Sequence, residues 1–223
     1  MFNKKPEIHV ANGLFISFEG IDACGKSTQV EKLAERLRAD TFNVLTLRDP
    51  GGTPISEEIR KILLSNQHAE MGAMTELLLY EAARAQIVYE RIIPGMRERD
   101  VVLIDRFFDS TTAYQGYGRG IDLENVKRAN LLATGGLTPQ LTFFIDITWE
   151  ESRRRKSNGH MDRLESEDQD FFNRIRNGYL QLAQTHAKRF RIIDGSQSPE
   201  AVHEAIYKET KKITSGWILS RLK

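Results

Sequence analysis

The sequence predicts an α/β protein: a three-layer α/β/α sandwich around a central five-stranded parallel sheet. Five short apolar runs are separated by segments of helical period, and the alternation is strand, helix, strand. At 223 residues, with 40% hydrophobic and 28% charged positions, the chain can bury one sizeable core. No internal repeat, low-complexity tract or linker divides it, so residues 1–223 are expected to form a single domain.

The strands come from Leu14 to Phe18, Val44 to Leu47, Val101 to Ile104, Leu141 to Ile147 and Phe190 to Ile193. Each is short, nearly continuous in apolar character and bounded by polar or turn residues, as in strands buried on both faces. The first helix is read from Val30, Leu33, Ala34 and Leu37, an i, i+3, i+4, i+7 stripe. Further helices are expected over Ile55 to Leu64, Thr75 to Arg99, Leu123 to Ala133, Phe171 to Lys188 and Pro199 to Leu222, with Pro94 breaking or kinking the third segment. Arg153 to Glu167 lacks periodicity and interrupts the alternation, so the sequence predicts a mobile surface insertion there.

A formal net charge of +1 gives no global field for holding polyanions, and no nucleic-acid partner is expected. No run of 18 apolar residues occurs and Met1 to Gly13 is too polar for a signal-peptide core, which predicts a cytoplasmic protein without a membrane partner. The single cysteine, Cys24, excludes an intramolecular disulfide and any multi-cysteine metal site.

After the first strand comes Gly20-Ile21-Asp22-Ala23-Cys24-Gly25-Lys26-Ser27-Thr28, a complete G-x-x-x-x-G-K-S leading directly into a helix. Glycines let the backbone wrap phosphates, while amide N–H groups and the helix N-terminus complement their charge. Lys26 is expected to reach the β and γ phosphates of ATP and Ser27 to ligate Mg²⁺. Cys24 reads as a small loop residue rather than a nucleophile. The strand Val101 to Ile104 ends in Asp105-Arg106. At the C-terminal edge of a parallel sheet Asp105 would assist in holding Mg²⁺, and the Arg106 fork would face the gap between donor and acceptor phosphates.

Several separated segments then resemble bacterial-type thymidylate kinases, members of the nucleoside monophosphate kinases with a P-loop NTPase fold. They are Phe15 to Gly20, Leu47-Arg48-Asp49-Pro50-Gly51-Gly52-Thr53, Glu76-Leu77-Leu78-Leu79-Tyr80-Glu81-Ala82-Ala83-Arg84, Asp105-Arg106 with Asp109 to Gly120, and Asp162-Arg163. The resemblance implies transfer of the ATP γ-phosphate to dTMP, a step of dTTP biosynthesis, by a homodimer. It implies that Tyr80 stacks on thymine, that Arg84, Thr111 and Gln115 meet the base edge, and that Tyr114 lies under the deoxyribose. Asp49, Arg60 and Arg106 fall at positions that handle the substrate phosphate. Asp49 and Tyr80 stand where the family usually has Glu and often has Phe, and the acidic Asp22 means that no arginine comes from the P-loop itself.

The missing charge is expected from a lid at about 153–167, where Arg153-Arg154-Arg155-Lys156 and Arg163 are concentrated. Aligned back from Asp162-Arg163, Arg154 and Lys156 fall on the family's lid arginines and a third such position is Asn158; Arg154 and Arg163, with Lys26 and Arg106, are the expected catalytic residues. The competing expectations are another P-loop nucleotide or deoxynucleoside kinase, or a nucleotide-dependent switch module. A guanine-reading Asn-Lys-x-Asp sequence is absent, which argues against a GTPase switch.

Overall fold

The computed structural model describes residues 13–156 and 161–221. Its centre is a five-stranded parallel sheet with strand order β2-β3-β1-β4-β5. These strands are β1 (Leu14–Glu19), β2 (Val44–Arg48), β3 (Val101–Asp105), β4 (Leu141–Asp146) and β5 (Phe190–Asp194). All five expected strands are present, each displaced by no more than one residue at its C-terminal end.

Side chains alternate between the two faces, as the pleat requires. Leu14, Ile16 and Phe18 of β1 and Val101 and Leu103 of β3 join Val30, Leu33 and Leu37 of helix α1 (Lys26–Ala39) in one core. Val202 and Ile206 of the last helix, Pro199–Arg221, enter the same core. Phe15, Val102 and Ile104 point the other way, against Ile87, Val88, Ile92 and Met96. Helix α2 (Pro54–Leu64) begins where Thr53 caps the Ser56 amide with Pro54 in the first turn, a position where the missing N–H costs nothing.

The long third helical segment is divided, but not at proline. Helix α3 (Ala73–Ile87) passes through a π-type turn at Val88–Ile92 into α4 (Ile93–Glu98), and Pro94 lies in the first turn of α4. The widened turn precedes the proline, and the helical path continues through it. After β3, α5 (Phe108–Thr111) runs into a second π-type stretch, Thr112–Gly118, and then α6 (Leu123–Thr134), capped by Asp122 and stopped by the left-handed Gly135.

Arg153 to Glu167 departs from expectation over its first part. Thr148 caps a helix, α7 (Trp149–Arg155), which carries Arg153, Arg154 and Arg155 in regular turns. Residues 161–167 are turns, and Asn158 lies outside the described residues. Helix α8 (Gln169–Thr185) follows, capped by Asp168, and stacks Tyr179 on Phe144 of β4; Pro199–Arg221 is then α9. No helix among the described residues is long and apolar enough to cross a membrane.

Candidate active site

Parallel pairing of β1 with β3 sets Phe18 opposite Asp105, so the loops that follow these strands open side by side. The loop after β1 turns at Gly20 (φ 141°) and Gly25 (φ 101°), backbone conformations that only glycine adopts without strain. A Cβ at Gly20 would also meet the Ile145 carbonyl at 2.6 Å, whereas one at Gly25 would meet nothing within 4 Å. Gly25 therefore serves the turn rather than a packing contact, and leaves the start of α1 open to the cleft.

Across this loop Lys26 Nζ donates to the carbonyls of Gly20 (3.2 Å) and Ile21 (2.9 Å). Ser27 Oγ donates to Asp105 Oδ2 at 2.5 Å. One cleft is lined by Asp22, Ala23, Gly25, Lys26, Ser27, Thr28, Arg48, Asp105 and Arg155, together with Asp49, Arg60 and Arg106. Hydroxyl and carboxylate oxygens meeting at its edge are donors of the type a hard divalent cation takes, few enough to leave room for phosphate oxygens and water. Cys24 is buried, and burial pushes its thiol pKa up, away from thiolate chemistry.

A second cleft adjoins the first. Its walls include Asp49, Arg60, Tyr80, Arg84, Arg106, Thr111, Tyr114 and Gln115, the complete acceptor set expected from sequence. Arg60 Nη1 is held by the Pro50 carbonyl at 2.9 Å. On α3, Glu76, Tyr80 and Arg84 follow at intervals of four residues and so share one helical face. The Arg84 guanidinium is buried, donating from Nε to Asp49 Oδ2 (2.6 Å) and from Nη1 to Glu81 and to Thr111 Oγ1 (2.7 Å). Its Nη2 makes only a 3.5 Å contact with the Phe107 carbonyl. Burial outweighs Arg84 and pushes the carboxyl pKa values of Asp49 and Glu81 above the usual range.

Arg106 lines both clefts. It holds a left-handed backbone (φ 68°), and its amide donates to the Phe18 carbonyl at 2.9 Å. Its guanidinium donates to the Gly20 carbonyl (2.9 Å), Ser110 Oγ (3.2 Å), Asp22 Oδ1 (2.7 Å) and Tyr114 Oη (3.1 Å). Burial opposes ionisation of Asp22, but the charges of Arg106 and Lys26 hold its carboxyl down to about 2. Behind Arg106 lies a residue that the sequence reading missed. Glu19 accepts hydrogen bonds from the Phe107 amide (2.8 Å) and Ser110 Oγ (2.5 Å), and burial, with Asp109 nearby, pushes its pKa up to about 8. Glu19 ends β1, and only its burial and partners mark it out.

The expected lid arginines occupy different places. Arg154 forms both of its hydrogen bonds with Glu151 (2.8 and 2.7 Å), is 75% exposed and lines neither cleft. Regular turns of α7 direct it outward and bring its neighbour Arg155 inward. Arg155 lines the P-loop cleft, with Nη2 on the Gly195 carbonyl (2.7 Å) and Nη1 on that of Ala23 (3.4 Å). Arg163 also stands apart from the P-loop cleft. It is buried, with Nη1 on Glu76 Oε2 at 2.6 Å and Nε on the Leu63 carbonyl at 3.1 Å.

Comparison with known proteins agrees with the motifs. The thymidylate kinase family matches residues 18–206. A thymidylate kinase of Caldanaerobacter subterraneus subsp. tengcongensis is 47% identical over 204 residues, covering 92% of this chain and 98% of that one. One from Kosmotoga olearia is 49% identical over 198 residues, covering 88% and 94%. The crystal structure of thymidylate kinase from Ehrlichia chaffeensis superposes with a TM-score of 0.72 at 33% identity, covering 89% of this chain and 98% of that one. With a P-loop, an adjoining acceptor cleft and an arginine between them in a chain matched along most of its length, this protein belongs to the thymidylate kinase family.

Proposed function

We propose that the two clefts divide between them the transfer of the γ-phosphate of Mg·ATP to dTMP, giving dTDP and ADP on the way to dTTP. The observation that carries this reading is Arg106, which lines both clefts and is fixed by Asp22 from the P-loop side and Tyr114 from the acceptor side. The residues of Gly20 to Thr28 bind the ATP phosphates, with backbone amides and the α1 N-terminus facing the charge. Ser27 and Asp105 would hold Mg²⁺, which would supply positive charge to neutralise the ATP phosphates.

In the acceptor cleft Tyr80 offers a face to thymine and Tyr114 packs beneath the sugar, crowding its 2′ position. Asp49 orients Arg84, while Arg60 and Arg106 hold the monophosphate. The attacking atom is already a phosphate oxygen, so no general base is assigned. Lys26, Arg106 and Arg155 stabilise charge on the transferring group, and alignment supplies most of the remaining acceleration. Arg155 is here the lid cation over the P-loop; Arg154 or Arg163 could act there only if the region at about 153–167 moved. We treat the chain as one kinase domain with that region as its lid, closing to exclude water and suppress ATP hydrolysis.

A cytoplasmic homodimer completes the reading. Exposed Met74 and Leu78 on α3, with Leu131 and Leu132 on the neighbouring α6, support a self-association face.

The test is a coupled ADP assay with purified protein across nucleoside monophosphates. We expect dTMP to be preferred over dUMP by about 10- to 200-fold, the value of one methyl group, and over dCMP by on the order of 10⁴-fold. No ADP formation with dTMP would refute the assignment.

A further inference from the structure

Glu76 lines neither of the two clefts, yet its carboxylate is completely buried and is the meeting point of three side chains. Gln115 Nε2 donates to its Oε1 at 2.8 Å. Arg119 donates to both oxygens at 3.1 Å, and Arg163 Nη1 approaches Oε2 at 2.6 Å. Burial would raise the Glu76 pKa, but the hydrogen bonds from Arg119 and Gln115 and the charges of Arg119 and Arg163 hold it below the usual value. The group is an anion, and an ionised carboxylate only accepts.

That restriction has a geometric result. A glutamine amide carries a donor end and an acceptor end of nearly equal shape, and its network decides which faces where. With an acceptor-only anion behind it, Gln115 must turn its NH₂ toward Glu76. Its carbonyl is then left for the acceptor cleft, where Oε1 accepts no hydrogen bond from the described residues. Arg84 Nη2 supplies a donor on the wall of the same cleft. A donor beside an acceptor complements the O4 and N3–H of thymine or uracil; cytosine presents the reverse pattern, an amino donor and an N3 acceptor.

We infer that Glu76 is a positioning residue that sets selection of thymine and uracil over cytosine, acting through the orientation it imposes on the Gln115 amide. The inference rests on the dTMP reading of the acceptor cleft. It also gives Arg163 a role unlike that expected from sequence: with Arg119 it keeps Glu76 charged. Arg163 belongs to the segment whose Asp162, Leu164 and Glu165 complete the cleft wall, so that wall and the base-reading amide share one anchor.

The substitution that separates this role from simple support is Glu76→Gln. Arg119 and Arg163 would claim the carbonyl of the introduced amide, turning its NH₂ toward Gln115. Gln115 would then flip and present NH₂ to the base. We expect the ratio of kcat/KM for dTMP over dCMP to fall on the order of 10- to 100-fold, corresponding to one hydrogen bond replaced by opposed donors. Glu76→Asp keeps an acceptor-only anion, and should lower rates while retaining the ratio within about threefold. In a Gln115→Ala background, Glu76→Gln should leave the ratio unchanged, because the residue through which it acts is gone.

A ratio that survives Glu76→Gln, or that falls equally in the Gln115→Ala background, overturns the role of Glu76 while leaving the dTMP assignment intact. Equal wild-type rates with dTMP and dCMP overturn both. Should Glu76→Gln fail to fold, ¹⁵N-labelled wild type decides the matter: the Gln115 side-chain NH₂, identified by its loss in Gln115→Ala, must exchange slowly both with and without dTMP. Fast exchange in the absence of dTMP would show that Glu76 does not hold it.

Discussion

Replacing Arg84 by alanine withdraws a cation from between two buried carboxylates, and the structure defines what is left behind. The Arg84 side chain is 1% exposed, with Asp49 at 0% and Glu81 at 7%, so water cannot take over the lost interactions. Removing one partner of a buried ion pair costs about 3–5 kcal/mol, most of it the penalty of the stranded charge. For a chain of this size each kcal/mol lowers the melting midpoint by about 2–4 °C, so the variant should melt on the order of 6–20 °C below wild type.

The deficit should also depend on pH. Asp49 and Glu81 already have raised pKa values, and removing Arg84 raises them further. The folded variant therefore binds more protons than its unfolded chain, and stability falls as pH rises. Relative to wild type, the deficit should be smallest near the unfolded carboxylate pKa of about 4 and grow as pH climbs through the folded values. Adding Glu81→Gln should recover part of it by removing one stranded charge. Thermal melts of wild type, single and double variants at several pH values make the test. A single variant melting within about 2 °C of wild type, or a deficit that grows on acidification, would refute the reasoning.

Lys26→Ala should lower kcat by at least about 10²-fold while far-UV circular dichroism stays unchanged, since the ammonium holds loop carbonyls and the Cys24 sulfur within the same loop; near-normal turnover would remove Lys26 from the reaction. Arg155→Ala should lower kcat on the order of 10³-fold with little change in the KM for dTMP. Arg154→Ala, which loses an exposed pair with Glu151, should stay within about threefold of wild type, and the opposite order would return the lid role to Arg154.

Legibility from sequence followed the range of the interactions involved. The five strands were readable because burial on both faces forces continuous apolar runs, and the P-loop because its chemistry needs consecutive residues at fixed spacing. The acceptor residues, spread from Asp49 to Gln115, were legible only through family resemblance, since no local pattern says that α2, α3, α5 with the π-type stretch after it, and the loops after β2 and β3 face one cleft. Which lid arginine faces the P-loop cleft was not legible because Arg154 and Arg155 are adjacent, and only the phase of α7, set by the Thr148 cap, directs one outward and the other inward. Glu76 and Glu19 were passed over because each looks like an ordinary acid until its burial and partners are known.

These acids also explain how a chain of net charge +1 assembles so many arginines around its clefts. Arg84 is tied to Asp49 and Glu81, Arg106 to Asp22, Arg155 to Glu151, and Arg119 and Arg163 to Glu76. Paired in this way, the cations meet a phosphate or a base in a fixed orientation, and side-chain ordering is supplied by folding instead of by binding. Neutralisation has a limit, however, because a carboxylate that stays beside an arginine weakens the field felt by an arriving phosphate. Asp22 is the case where this matters most, since its partner Arg106 stands between donor and acceptor and already has hydrogen bonds to Gly20, Ser110 and Tyr114 to orient it. With Tyr114 it fixes that arginine, and its carboxyl, held down to about 2, stays ionised at every pH where the enzyme would work. Its charge also offsets those of Arg106 and Lys26 in the cleft before two polyanionic substrates arrive.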